Sequence, residues 1–155
     1  MTVTTNSKHI YETTEDRKAE AKKELAMAQN ISQEIYDSRM SKPNEAQLIR
    51  NFYYSIYHVL KGISVLDTGN EYHSHHALIS YFNRESKKED YLNAFISDVE
   101  ISPETRSNID RLFLLRDEYD YREENVEEDD YKEAESIWEN DYPELENILI
   151  RILEK

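Results

Sequence analysis

Glycine and proline are scarce in this chain: only two glycines and three prolines occur among its 155 residues. Tight hairpins usually need glycine or asparagine in their turns, so a fold built from many short strands is disfavoured. Apolar residues instead recur at helical spacing, and charged residues make up 34% of the chain. These features predict a single all-helical domain, and the chain is long enough to enclose one hydrophobic core.

The absence of certain residues and segments excludes several classes of protein. The chain has no cysteine, which excludes a disulfide framework and cysteine-ligated zinc or iron–sulfur centres. No apolar run approaches the roughly 20 residues that span a bilayer. The N-terminal segment also lacks the apolar core of a signal peptide. We therefore expect a cytoplasmic protein that does not contact a membrane.

The formal net charge of −14 limits which partners the chain can bind. Proteins that bind nucleic acid usually carry a basic surface, because neutralising phosphates releases counterions. The chain as a whole repels a polyanion, and we do not expect it to bind DNA. Binding or chemistry on RNA would require a local basic site or a basic partner protein.

Capping residues and apolar spacing divide the chain into helices. Residues 1–13 are predicted to form a mobile N-terminal arm, and residues 14–155 to form one domain. The predicted fold is an antiparallel up-and-down bundle of four to five helices with a short extra helix. Pro143 should either kink the last helix or divide it, with Asp141 capping the second piece. Helices are predicted over about residues 14–40, 45–67, 74–85, 102–122 and 129–154, with one or two further turns at 91–96.

The apolar positions of three helices predict the core. The first helix is expected to bury Ala21, Leu25, Met27, Ala28, Ile31 and Ile35. The second is expected to bury Ile49, Phe52, Tyr53, Ile56, Val59, Leu60, Ile63 and Leu66. The helix near residue 110 is expected to bury Ile109, Leu112 and Phe113.

Polar side chains form a stripe beside the apolar face of the second helix. Arg50, Tyr54 and His58 are four residues apart, which places them within an arc of about 80° on a helix. One interpretation is that they are boundary residues with structural roles. The alternative is that they border a functional groove, with His58 as a candidate catalytic residue.

Arg116 lies where the apolar spacing of its helix predicts an inward-facing residue. A charge there must be paired, because an uncompensated buried charge costs several kcal/mol. One interpretation is a structural ion pair with Asp120, four residues on, or with a glutamate. The other is an arginine held in a groove for phosphate, which suits its planar guanidinium.

Histidines cluster at positions 73, 75 and 76. No carboxylate lies at a recognisable metal-ligand spacing from them, so we predict neither a metal site nor any cofactor. Hydrogen bonding by a histidine at the start of the helix, toward a neighbouring chain, is the favoured interpretation, and His75 is a candidate groove residue.

Three segments together resemble the HEPN superfamily. They are FYYSIYHVLKGI at 52–63, HHALISYFNRE at 75–85 and RLFLLRDEYDY at 111–121, in the family's order and spacing. The resemblance is to the small stand-alone branch that is often encoded beside a minimal nucleotidyltransferase. It implies a helical bundle that forms homodimers with a polar groove at the interface, and in several relatives a toxin of a toxin–antitoxin pair.

Catalytic members of this family are metal-independent endoribonucleases, in which an arginine is followed four to six residues later by a histidine. Here Arg116 and Asp117 match the start of that motif and Asp120 matches the closest branch, but position 121 is tyrosine. The favoured hypothesis is therefore a module that associates with a nucleotidyltransferase, a nucleotide or RNA without cutting it. The alternative is a ribonuclease toxin that uses Arg116, Asp120 and a displaced base such as His58, in a groove with Arg50, Tyr54, His75, Asp117 and Tyr121.

Overall fold

The computed structural model describes residues 11–41, 44–83, 101–120 and 125–154. Within these ranges the chain forms five helices and no strand, so the all-helical prediction is confirmed. No helix in the same ranges is both long enough and apolar enough to cross a membrane. The helices are α1 (Thr14–Arg39), α2 (Glu45–Thr68), α3 (His75–Asn83), α4 (Pro103–Asp120) and α5 (Glu128–Leu153).

Polar side chains fix the ends of several helices. The side-chain oxygens of Thr13, Asn44 and Ser102 accept backbone N–H groups of the first turns of α1, α2 and α4, at 3.0, 3.1 and 3.1 Å. Gly69 ends α2 with φ at 75°, a left-handed conformation that favours glycine. The helix boundaries therefore follow from local chemistry that can be identified in the sequence.

Helix α2 is the central element of the bundle, because it packs against each of the other four helices. The eight residues predicted for its buried side are all buried. Toward its C-terminal end even the small and polar residues Gly62, Ser64 and Asp67 are enclosed. A helix surrounded in this way holds its side chains in fixed positions, including those that face the site described below.

The predicted buried face of α1 is wrong at one position. Met27 is 45% exposed, whereas Glu24 and Ser32 are buried. The face toward α2 follows positions 21, 24, 28, 32 and 35. Met27 precedes Ala28 by one residue and therefore lies about 100° around the helix from it. The prediction missed this because it did not allow a glutamate on the inner face.

Helix α5 continues through Pro143 as one element, so of the two predicted alternatives, a kink or a division, the division is wrong. Asp141 does not cap a second piece: it is buried and accepts a hydrogen bond from the Asn108 side chain at 3.2 Å. Proline removes one backbone donor from the helix. Buried residues on both sides of it, such as Trp138 and Leu145, hold the two halves against the same core.

The residues just before α1 are attached to the end of α2. The Tyr11 N–H donates to the Gly69 carbonyl at 2.6 Å, and Arg17 donates to the carbonyls of Tyr11 and Asp67 at 2.8 and 3.2 Å. The last residues of the predicted arm, from Tyr11 onward, are therefore fixed to the bundle. Residues 1–10 and the predicted turns at 91–96 lie outside the described residues.

Candidate functional site

A cleft of about 300 Å³ opens where α2, the start of α3 and α4 meet. We call it the Arg116 cleft, after the cation in its wall. Its lining combines aromatic rings, imidazoles and one guanidinium, a mixture that suits a ligand with both flat apolar and charged parts. The lining residues are Tyr53, Tyr54, Tyr57, His73, Ser74, His75, His76, Phe113 and Arg116.

Helical spacing explains why these residues meet. Tyr53 and Tyr57 are four residues apart on α2, and Phe113 and Arg116 are three apart on α4, so each pair lies on one face. The Ser74 hydroxyl accepts the Ala77 N–H at 3.1 Å, which begins α3 at the cleft rim. Helices α2 and α4 and the start of α3 thus place these residues around one cleft.

Arg116 is tied to its neighbours at the cleft wall. Its Nη1 donates to Asp120 Oδ2 at 2.9 Å and to the Tyr54 hydroxyl at 3.2 Å. Arg50 Nε donates to the other oxygen of Asp120 at 2.9 Å. The predicted Arg116–Asp120 pair is therefore present, but two guanidinium groups share its single carboxylate. Among the described residues, Arg116 Nε is buried without a hydrogen-bond partner.

Aromatic rings surround the Arg116 cation. Its guanidinium carbon lies 5.0, 5.2 and 5.5 Å from the ring centroids of Phe113, Tyr53 and Tyr54. Rings at this distance attract a cation through their quadrupoles. This arrangement explains how a charge remains stable in a largely apolar wall, and it holds the guanidinium in one orientation.

His75 links the inside of the cleft to the protein surface. Its Nδ1 is 3.0 Å from the Tyr53 hydroxyl, its Nε2 is 2.8 Å from Asp110 Oδ1, and its ring stacks on Phe113 at 4.0 Å. Burial lowers the pKa of His75, although its hydrogen bond to Asp110 acts in the opposite direction. The imidazole is therefore neutral near pH 7, and both its nitrogens are engaged.

His58 does not line the Arg116 cleft. Its Nδ1 is 2.7 Å from Glu24 Oε1 on α1, in a cluster where the ammonium of Lys61 lies 3.7 Å from Glu24 and 3.4 Å from Glu71. Oxygens of Glu20, Glu24 and Glu71 come within 4.8 Å of one another. Such carboxylates are possible metal ligands, but Lys61 already supplies a compensating charge between them.

The glutamates of this cluster differ in acidity. Burial raises the pKa of Glu20, and the neighbouring carboxylates of Glu71 and Glu24 add to that effect. Burial also acts to raise the pKa of Glu24, but the hydrogen bond to His58 and the charge of Lys61 lower it overall. This pattern is that of a charge-compensated structural network.

The other predicted site residues lie in different surroundings. Tyr54 lines the cleft. Arg50 does not line it, but donates a hydrogen bond to Asp120, the partner of Arg116. Asp117 is exposed on α4 and does not line the cleft. Tyr121 lies outside the described residues.

Sequence reasoning missed part of this site. Tyr53 and Phe113 were assigned to the core, and Asp110 was given no role. A signal was available, because Asp110, Phe113 and Arg116 recur at steps of three along α4 and therefore lie near one another on the helix surface. What the spacing cannot give is the position of α3, which brings His75 to that surface.

A model of the HEPN domain matches residues 14–140, which is most of the chain. The chain belongs to the HEPN family. No curated protein matches the sequence significantly. HEPN membership confirms the resemblance of the three segments and identifies an RNA-associated module of a kind often found in toxins and defence systems. The small stand-alone branch within the family stays a prediction.

Proposed function

We propose that this HEPN protein binds RNA or a nucleotide by a phosphate group at Arg116 and does not cut it. The observation that carries the proposal is the charge balance at the cleft wall. Arg50 and Arg116 share the single carboxylate of Asp120, so this carboxylate neutralises only one of the two cations. A local cation of this kind is what an acidic protein needs to hold a phosphate.

The aromatic lining supports the same ligand class. Bases of single-stranded nucleic acid stack on aromatic side chains, and Tyr54, Tyr57 and Phe113 line the same cleft as Arg116. A volume of about 300 Å³ is at the lower end for ligand sites. The cleft therefore suits one nucleotide of a chain, with its phosphate toward α4.

Three observations support binding without cleavage. Position 121 is tyrosine where the catalytic members of the family have histidine. His58 Nδ1 is hydrogen-bonded to Glu24, outside the Arg116 cleft. His75 has both nitrogens engaged in hydrogen bonds within the protein. His75 therefore has no nitrogen left to exchange a proton with a ligand directly, and His58 does not line the cleft.

The same proposal includes the assembly that the resemblance implies. The protein acts as a homodimer together with a minimal nucleotidyltransferase, in a toxin–antitoxin or defence system. Light scattering of the purified chain tests the dimer, since a monomer would give a mass of 18.5 kDa. Co-purification with a nucleotidyltransferase encoded beside it tests the partner.

Fluorescence anisotropy with a labelled single-stranded RNA tests the binding site. Arg116→Gln should weaken binding by about tenfold or more, since hydrogen bonds to charged groups contribute about 1.5–3 kcal/mol. Arg111→Gln is the matched control, because Arg111 lies on the same helix but pairs with Glu133 at 3.0 Å outside the cleft. Equal losses in both variants would show that only net charge matters, and would contradict the proposed site.

A metal-independent ribonuclease is the second candidate function. The observation that favours it is that His73, His75 and His76 line the same cleft as Arg116. Imidazoles close to a guanidinium can transfer protons while the cation stabilises phosphate charge. Incubation of end-labelled RNA with the protein in EDTA separates the two functions. Cleavage that disappears in both Arg116→Gln and His76→Ala would establish the ribonuclease and refute binding alone.

A further inference from the structure

Arg50 contacts the partner of Arg116 from outside the cleft. Neither Arg50 nor Asp120 lines the Arg116 cleft. Arg50 Nε and Nη2 lie 2.9 and 2.8 Å from Asp120 Oδ1. The remaining nitrogen, Nη1, donates to the side-chain oxygen of Gln47, three residues earlier on α2. All three guanidinium nitrogens of Arg50 are therefore engaged within the protein.

Arg116 is engaged less completely than Arg50. Its contact with Asp120 runs from Nη1 to Oδ2 at 2.9 Å, and the same nitrogen donates to the Tyr54 hydroxyl at 3.2 Å. Its Nε is buried and has no hydrogen-bond partner within the described part of the chain. The two cations that share Asp120 are therefore not equivalent, because Arg50 is fully paired and Arg116 is not.

The oxygen that Arg50 occupies decides how Arg116 can pair with Asp120. Arginine and a carboxylate form their strongest pair through two parallel hydrogen bonds, one to each oxygen. Asp120 lies four residues beyond Arg116 on α4, a spacing that brings the two side chains together within one helix. Two nitrogens of Arg50 lie at Oδ1, however, so Oδ2 is the oxygen left for Arg116.

We propose that Arg50 is a positioning residue for the cleft: by holding Oδ1, it prevents Asp120 from closing a two-oxygen pair on Arg116, and so keeps that guanidinium available to an anion. This inference rests on the proposed function, because the anion is the phosphate assigned to Arg116. Without Arg50 the same carboxylate would face a single cation, and an anion would have to displace it before it could bind. Arg50 acts through Asp120 and does not contact the ligand.

The burial of the three side chains makes this competition effective. The side chains of Asp120 and Arg116 are 19% and 16% exposed, so solvent screens their attraction less than it screens an exposed pair. The Arg50 side chain is 37% exposed and comes from α2. A change at Arg50 therefore alters the pairing of two less exposed charges on another helix.

A double-mutant cycle with labelled single-stranded RNA tests whether Arg50 acts through Asp120. Arg50→Gln should weaken binding by about three- to tenfold, and by less than about twofold when it is made in an Asp120→Asn background. Arg111→Gln is the control for net charge, because Arg111 pairs with Glu133 outside the cleft. Equal losses in both backgrounds, or a loss no larger than that in Arg111→Gln, would overturn the inference.

The salt dependence of binding separates a positioning residue from a phosphate contact. The slope of log affinity against log salt concentration decreases by about one for each phosphate contact that is lost. Arg116→Gln should reduce the slope by this amount, whereas Arg50→Gln should leave it unchanged. An equal reduction in both variants would show that Arg50 contacts the phosphate itself, which would overturn the positioning role.

Urea denaturation tests the shared carboxylate without any ligand. In Arg50→Gln or Arg116→Gln alone, the other arginine still compensates Asp120. In the double variant the carboxylate has lost both cations, so the fall in the unfolding midpoint should exceed the sum of the two single falls. Additive falls would mean that the two arginines do not compete for Asp120, and would overturn the inference.

Arg50→Lys keeps the test decisive if circular dichroism shows that Arg50→Gln is not folded. Lysine retains the charge but offers one nitrogen where arginine places two at Oδ1. Arg50→Lys should therefore weaken RNA binding in the wild type and not in the Asp120→Asn background. Wild-type affinity in Arg50→Lys would show that charge alone matters, and would overturn the inference.

The two proposals fail in different ways. If Arg116→Gln weakens RNA binding but Arg50→Gln acts no differently from Arg111→Gln, the role of Arg50 is wrong and the proposed function stands. If Arg116→Gln leaves RNA binding unchanged, the proposed function is wrong, and the role of Arg50 is overturned with it.

Discussion

Arg50 and Arg116, on different helices, bind opposite oxygens of the same carboxylate, that of Asp120. Arg50 Nε lies 2.9 Å from Oδ1, and Arg116 Nη1 lies 2.9 Å from Oδ2. The carboxylate thus joins α2 to the end of α4 while neutralising only one of the two cations. Asp120 should therefore stabilise the fold and at the same time weaken phosphate binding at Arg116, and both effects can be measured.

Asp120→Asn should separate the two roles. Loss of the carboxylate leaves two guanidinium groups unpaired at a partly buried position, so the free energy of unfolding should fall by about 1–3 kcal/mol. RNA affinity should nevertheless rise, because a negative charge beside the phosphate site is removed. Urea denaturation and fluorescence anisotropy measure the two quantities.

Glu133→Gln provides the control for this change. Glu133 also pairs with an arginine, Arg111, but both side chains are more than 40% exposed. Its loss should change stability by less than about 1 kcal/mol and should raise RNA affinity less than Asp120→Asn does. If the folded fraction of Asp120→Asn bound RNA more weakly than the wild type does, the proposed site would be contradicted.

The amount of the fold that the sequence predicts depends on the element. The bounds and buried face of α2 were predictable, because its apolar residues are continuous and its caps, Asn44 and Gly69, have unambiguous chemistry. The buried face of α1 was less predictable. Glu24 faces inward because His58 and Lys61, on α2, compensate its charge. A partner about 35 positions away cannot be deduced from periodicity.

The candidate site shows the same limit. The spacing of Arg50, Tyr54 and His58 correctly describes three neighbours on one helix. It does not say that Arg50 and Tyr54 face α4 while His58 faces Glu24 on α1. Residues at this spacing share one stripe of a helix, but whether each of them belongs to the site depends on which other helix it contacts.

The buried hydrogen bond between Trp138 and Ser55 should contribute strongly to stability. Trp138 Nε1 donates to Ser55 Oγ at 2.8 Å, and both residues are buried. Ser55→Ala leaves the indole N–H without its partner, so the free energy of unfolding should fall by about 1–3 kcal/mol. Urea denaturation, with tryptophan fluorescence as the signal, measures the change.

Ser64→Ala is the matched control for Ser55→Ala. Ser64 is also fully buried on α2, but its hydroxyl donates to the Lys61 carbonyl within the same helix. Its loss leaves no donor unpaired and should cost less than about 1 kcal/mol. Equal costs for the two variants would mean that the Trp138 contact adds nothing.

Asp141 should make the protein less stable as the pH rises. Burial raises the pKa of its carboxyl group, and the charges of Glu144 and Glu104 act in the same direction. The folded state therefore holds its proton more tightly than the unfolded chain. The resulting stability is fully present below the unfolded pKa of about 4, and is lost as the pH rises through the higher folded value.

Asp141→Asn should accordingly be more stable than the wild type at pH 7, with the difference shrinking toward pH 4. An asparagine can still accept the hydrogen bond from Asn108, so only the charge is removed. Thermal unfolding at several pH values measures the difference. Asp117→Asn, at an exposed carboxylate, should change stability by less than about 0.5 kcal/mol. A less stable Asp141→Asn at pH 7 would show that the carboxylate is needed as such.

His75 should have the opposite pH dependence. Burial lowers the pKa of its imidazole, so the unfolded chain takes up a proton before the folded protein does. The stability it contributes is present above the unfolded pKa of about 6.5, and is lost as the pH falls toward the lower folded value. The groups that face the ring are Tyr53, Asp110, His76 and Arg116.

His75→Gln should remove this pH-dependent stabilisation, so the difference in melting temperature between wild type and variant should narrow from pH 7 to pH 5. A difference that widens on acidification would mean that the folded protein prefers the imidazolium, paired with Asp110.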